Sequence, residues 1–282
     1  MQLLTMISRG LLFFVIAAAT ALTAAAQTST SPTVPQQQPA TNQPAQAEDE
    51  SSRHAHELIN QMIAALGGTA YLNMQDYETE GRSYAFSHGE SGLGFPVWRF
   101  WKAPDKERVE LTKQRDVIQI YNGESGWEIT FKGTATLPPP AVEEYKLQRE
   151  HSLPQVARVW LKTPDVAYFY AGSAVAEQKP TDHVTIYHGQ DSVDLYVDIS
   201  SHLPVKKTFV HRNEQYHDKD TEEETWGNYR TVQGIATPLD YQRKHNDEIQ
   251  VQRFITKIAY NKGLPDSLFT PKNAPPMPPG KK

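Results

Sequence analysis

Between residues 77 and 260 apolar and polar side chains alternate in short runs, the period-two pattern of half-buried strands. Residues 77–86 and 97–101 are aromatic-rich runs of this kind. Residues 117–121 lead through Asn122-Gly123-Glu124-Ser125-Gly126 into Trp127-Glu128-Ile129. That predicts a hairpin around a turn whose Asn and Gly both tolerate positive φ. Residues 183–188 set Val184 and Ile186 on one face, and residues 194–199 set Leu195, Val197 and Ile199 against Asp194, Tyr196 and Asp198. Residues 205–211, 223–230, 237–244 and 248–260 continue the series. Consecutive strands with short turns predict an antiparallel meander.

The period changes in two places. Leu58, Ile59, Met62, Ile63 and Leu66 recur at helical spacing, with Ser51 or Ser52 placed to cap the helix and Gly67-Gly68 to stop it. In the middle of the chain Pro138-Pro139-Pro140 introduces a helix over 141–150. Ser152-Leu153-Pro154 then opens a second piece carrying Val156, Val159, Trp160 and Leu161, which Pro164 ends. The expected fold class is α+β, mainly antiparallel β. A strongly curved sheet, a half-open β-barrel with a helical lid, buries all these stripes at once.

Both ends read differently. Arg9 precedes the apolar run from Leu11 to Ala19, and small residues end it at Ala24-Ala25-Ala26. This is the pattern of a cleavable signal peptide over 1–26, too short for a bilayer span of about 20 residues. Residues 27–50, rich in Gln, Thr, Ser, Pro and Ala, predict a disordered linker, and 271–282 a Pro-rich disordered tail. The domain is then 51–270, exported to the periplasm and soluble after cleavage. The chain has no cysteine, which excludes disulfides, thiolate metal sites, a thiol nucleophile and lipid attachment to an N-terminal cysteine. Net charge is −5 with no basic stripe, so no nucleic-acid partner is expected.

Little here reads as catalytic chemistry. There is no Gly-x-Ser-x-Gly elbow and no phosphate loop, and Gly172-Ser173-Ala174 lacks the strand–turn–helix context. Glu143-Glu144 lies near a helix start, where carboxylates favour the dipole, and Glu222-Glu223-Glu224 reads as an exposed turn. His54 and His56 diverge on a helix, His183 and His188 fall on opposite strand faces, and a turn separates His211 from His217. No enzyme activity, cofactor or metal is therefore expected.

Several signatures, in order, resemble the LolA/LolB-like family of periplasmic carriers that sort outer-membrane lipoproteins. They are the opening helix over 53–66, Trp101-Lys102-Ala103-Pro104-Asp105, and the hairpin from Asn122-Gly123 to Trp127. Further on come the segment from Asp198 to Lys206, Asn228 to Ile235, Tyr260-Asn261-Lys262-Gly263-Leu264, and the closing Leu268-Phe269-Thr270-Pro271. The resemblance implies an open barrel closed by helices, with an apolar cavity for acyl chains. It also implies an Arg before the Pro that latches the lid. This chain has Ala103 there, which cannot donate those hydrogen bonds.

A carrier needs a curved apolar wall and a movable cover. Wall candidates are Tyr84, Phe86, Trp98, Phe100, Ile118, Ile120, Trp127, Leu195, Val197 and Ile199. Lid candidates are Leu58, Met62, Val156, Val159 and Trp160. Leu93 and Phe95, in a glycine-flexed loop, are candidates for touching a membrane or partner. The expected partners are lipid or lipoprotein acyl chains, together with an envelope membrane protein. The rival readings are an envelope signalling or assembly module that binds protein, and a hydrolase assembled from distant residues.

Overall fold

The computed structural model describes residues 49–213 and 216–272. The signal peptide expected at 1–26, the linker up to residue 48 and the tail beyond residue 272 lie outside the described residues. Helix α1 spans Glu50–Leu66. Its N-cap is Asp49, whose carboxylate accepts the Ser52 N–H at 2.7 Å, in place of the expected serine cap. Ser51 is occupied elsewhere: its hydroxyl oxygen accepts the Tyr170 N–H at 3.0 Å. At the other end Gly67 (φ 122°) donates to Ala64 and Gly68 donates to Ile63, the paired bonds of a Schellman stop. A Cβ on Gly67 would lie 2.4 Å from the Gly234 carbonyl oxygen, so the stop and the close approach to the sheet both require glycine.

After the short helix α2 (Thr69–Leu72) come β1 (Asp76–Ser87), β2 (Glu90–Ser91), β3 (Phe95–Lys102), β4 (Lys106–Leu111), β5 (Val117–Asn122), β6 (Ser125–Thr130) and β7 (Gly133–Thr136). The helical insert is α3 (Pro139–Glu150), α4 (Leu153–Arg158) and a 3₁₀ turn at Trp160–Lys162, close to its expected limits. Ser152 caps α4, accepting the Gln155 N–H at 3.4 Å. Strands β8 (Val166–Ala176), β9 (Lys179–His188), β10 (Asp191–Asp198), β11 (Pro204–Arg212), β12 (Lys219–Val232), β13 (Ile235–His245) and β14 (Glu248–Tyr260) follow, and a 3₁₀ turn at Asp266–Phe269 closes the chain.

All strands join one antiparallel sheet in the order β7-β6-β5-β4-β3-β1-β14-β13-β12-β11-β10-β9-β8, with β2 paired to β1. The sheet does not close: β7 and β8 are its edges. It is the half-open, mainly antiparallel architecture expected from the pattern. Ser51 blunts the β8 edge by bonding the Tyr170 backbone from α1.

The β5–β6 hairpin forms as expected, but Asn122 pairs with Ser125 as a strand residue. Only Gly123 (φ 59°) takes the positive φ, as the first central residue of a two-residue turn. Strands β2, β4, β7 and β8 were not visible in the pattern. In β4, charged residues point to both faces: Glu107 pairs with Arg99, and Arg108 donates to Glu110 at 2.6 Å. In β8, Tyr168 and Tyr170 alternate with Phe169 and Ala171, so apolar groups line both faces and the period is blurred.

Candidate functional site

Cross-strand register divides the sheet into two faces. Tyr77, Trp101, Glu107 and Tyr121 follow one another across β1, β3, β4 and β5 on the face beneath the helices. Glu78, Phe100, Arg108 and Ile120 follow one another on the opposite face.

The helices close the inner face over β8–β11. Leu58, Met62, Val156 and Trp160 are buried in one cluster with Val184, Ile186, Leu195, Val197 and Phe209. Four of the five lid candidates thus meet two of the wall candidates, while Val159 is 43% exposed. Ile199 lies beyond the end of β10, 45% exposed in the turn.

The remaining wall candidates sit elsewhere. Phe100, Ile118, Ile120 and Trp127 pack against Leu264, Leu268 and Phe269, a second core formed by the C-terminal segment on the outer face. Trp98 shares that face through its pairing with Glu110, and Arg115 lies 5.0 Å over its ring. Alternation along β1 puts Tyr84 and Phe86 on the same side, with Tyr84 edge-on to Phe254 at 5.9 Å. The physical reason is the C-terminal segment. Buried Asp76 accepts the N–H groups of Lys262, Gly263 and Leu264 at 2.7, 2.9 and 3.1 Å, and this pins the segment across β3–β6.

Under α3 the inner face is polar. Tyr145 of α3 stacks on Tyr121 at 3.8 Å, and Arg243 reaches Glu144 of α3 at 3.1 Å. Arg99 pairs with Glu107. Tyr241 donates to Glu224 at 3.0 Å and carries the Arg253 guanidinium 4.9 Å over its ring. Among the described residues no carboxylate lies within ion-pair distance of Arg253, and its buried Nε has no partner. Burial and then the neighbouring Arg99 charge pull its pKa down to about 10.

One sheet residue ties the cover down. Lys207, fully buried on β11, pairs with Glu224 at 2.9 Å and donates to the His151 carbonyl oxygen at the end of α3 at 2.6 Å. Ala103, before Pro104, donates its backbone N–H to Gln75, and Arg158 of α4 lies 5.6 Å over the Trp101 ring. No sequence signal marked Lys207, because a lysine on a strand reads as solvent-facing.

Two hollows of about 350 and 360 Å³ open elsewhere on the sheet, one at Thr225, Asp240, Gln242 and Phe254, the other at Arg230, Leu239 and Ile258. No wall or lid candidate lines either. Leu93 is 95% exposed in the β2–β3 loop, and Phe95 is half-buried as the first residue of β3. Phe131, at the tip of the β6–β7 turn on the same rim, is 91% exposed. No helix among the described residues is long and apolar enough to cross a membrane. His211, Asp220 and His245, from three neighbouring strands, bring ligand atoms within 4.8 Å of one another.

Known structures share this architecture. A DUF1329 family protein from Desulfovibrio piger superposes with TM-score 0.54 at 11% identity, covering 79% of this chain and 98% of that one. An outer membrane lipoprotein-sorting protein domain from Vibrio parahaemolyticus superposes with TM-score 0.50 at 8% identity, covering 77% and 97%. This chain shares the fold of these two proteins. At these identities the likeness is one of fold. No family model matches the sequence, and no curated protein matches it.

Proposed function

We propose that this protein is an envelope binding protein for lipids or lipoprotein acyl chains, held between the inner face of the sheet and the helical cover. The observation that carries the reading is the division of the inner face. Its β8–β11 side is apolar under α1 and α4 apart from the Lys207 ammonium, which Glu224 balances, and its β12–β14 side presents a guanidinium, Arg253, without a carboxylate partner. An amphiphile with an anionic head meets both halves. Each buried methylene contributes about 0.8 kcal/mol, so a long acyl chain supplies roughly 10 kcal/mol of gross driving force to displace the cover.

The fold supports the reading, since a domain of the same architecture is described as lipoprotein-sorting. Wall residues in this assignment are Leu195 and Val197 with Val184 and Ile186, and lid residues are Leu58, Met62, Val156 and Trp160. Export by the 1–26 signal peptide to the periplasm is part of the proposal, as is contact of the Leu93 and Phe131 rim with a membrane or an envelope membrane protein. Delipidated protein titrated with a fluorescent fatty-acid probe should show saturable uptake, weakened by Arg253→Gln. An absence of saturable uptake removes the proposal.

A further inference from the structure

We propose that His211, Asp220 and His245 form a binding site for a divalent transition-metal ion of the Zn²⁺ class, at the rim of the inner face where β11 ends, β12 begins and β13 ends. The inference stands apart from the lipid reading. Register builds the site: His211 pairs with Asp220 across β11 and β12, and Glu222, two residues along on the same face, pairs with His245 across β12 and β13.

Each imidazole is already oriented for a metal. The Nδ1 of His245 lies 2.6 Å from Glu222 Oε1, and the Nδ1 of His211 lies 3.3 Å from the Arg212 carbonyl oxygen. Both partners only accept, so each Nδ1 carries the proton and each Nε2 presents a lone pair. A carboxylate or carbonyl behind a ligating histidine is the usual arrangement around a bound metal. Asp220 is held on both sides, by Asn246 at 2.8 Å and Asn213 at 2.7 Å.

The second observation is what the cluster leaves unsatisfied. His211 Nε2 and Glu222 Oε2 are buried without a hydrogen-bond partner, and Glu222 is 1% exposed. The Nε2 of His211 is 3.7 Å from Glu222 Oε1, too far for a hydrogen bond. His245 Nε2 faces Asp220 Oδ2 at 3.8 Å, with the Asn246 amide at 3.3 Å. An ion at about 2.0–2.1 Å from each ligand would supply the missing partner after a modest closing of the three side chains. Two imidazoles and one carboxylate suit Zn²⁺ or its neighbours rather than Ca²⁺ or Mg²⁺, and three protein ligands leave a coordination position open. The spacing of these residues in sequence hid the site, since each ligand comes from a different strand.

The test uses the mature protein after dialysis against EDTA. Titration with ZnCl₂ should show one saturable equivalent and a raised Tm, and Co²⁺ should give the visible absorption of a low-coordinate nitrogen–oxygen site. His211→Ala with His245→Ala should abolish both, while His183→Ala, at a separate His–Asp pair, should leave them unchanged. Glu222→Gln should weaken binding about 10- to 100-fold through His245. Absence of stoichiometric uptake by the wild type overturns the site. So does uptake that the double variant, folded by circular dichroism, retains in full, because the ion is then adventitious.

Discussion

Lys207 is a charge placed where a strand pattern predicts a solvent-facing lysine, yet it has no exposed surface. Its ammonium is balanced by Glu224 and directed to the His151 carbonyl, and Nζ lies 5.3 Å over the Phe209 ring centroid. A buried ion pair adds little net stability, but removing one partner strands the other. Lys207→Met should therefore cost about 3–5 kcal/mol, measured as a lower urea midpoint at unchanged m-value. Adding Glu224→Gln should recover a substantial part, because the uncompensated carboxylate is gone. A single variant as stable as wild type would show that Lys207 is not the tie between sheet and cover. Nothing in the local sequence marks this lysine; its burial follows from α3 ending directly above it, a tertiary fact.

The helical insert shows how an element carries its own signals while its attachment does not. Pro138–Pro140, Ser152 and Pro164 punctuate the chain, and the structure places α3 and α4 almost where those residues set them. The contacts below the insert depend on His151, which follows α3, stacks on Phe209 at 4.2 Å and has its ring beside Trp160. Burial pulls the His151 pKa below its ordinary value, against the Leu147 carbonyl and Asp191, which favour the proton, and with Lys207, which opposes it. The unfolded chain then takes up this proton first. His151 adds its full stabilisation above about pH 6.5, and that contribution shrinks as pH falls from there to the folded-state pKa. His245 has the opposite sign. Burial would lower its pKa, but the Glu222 hydrogen bond and the nearby carboxylates raise it, so its contribution is present below about pH 6.5 and is lost as pH rises through the folded value. In EDTA, His151→Phe should lose less stability than wild type between pH 7 and pH 5. Parallel stability–pH curves for the two proteins would refute a neutral, buried His151.

At the scale of the whole molecule, a period-two pattern states which residues of a strand share a face, but not which face the helices will cover. Along β3–β6 Phe100, Ile118, Ile120 and Trp127 face outward, because Phe269 and its neighbours return across them, while the inner face there carries Arg99, Glu107 and Tyr121 beside Trp101. The curved sheet and its cover were legible; the second core was not, since its partner is a segment near the chain end with no strand or long helix. Two cores on opposite faces make a test that separates folding from binding. Phe269 is fully buried outside and Trp160 is buried inside, so Phe269→Ala and Trp160→Ala should each cost about 3–5 kcal/mol. Their effects on acyl uptake should differ. Phe269→Ala leaves the inner face unchanged, so the folded fraction should take up the fatty-acid probe with wild-type affinity. Trp160→Ala removes the cover's largest contact, which lowers the cost of opening and should raise the apparent affinity or the association rate. Were the folded Phe269→Ala protein to lose the probe while Trp160→Ala bound it unchanged, the ligand would lie under the C-terminal segment, and the inner face would have to be surrendered as the binding surface.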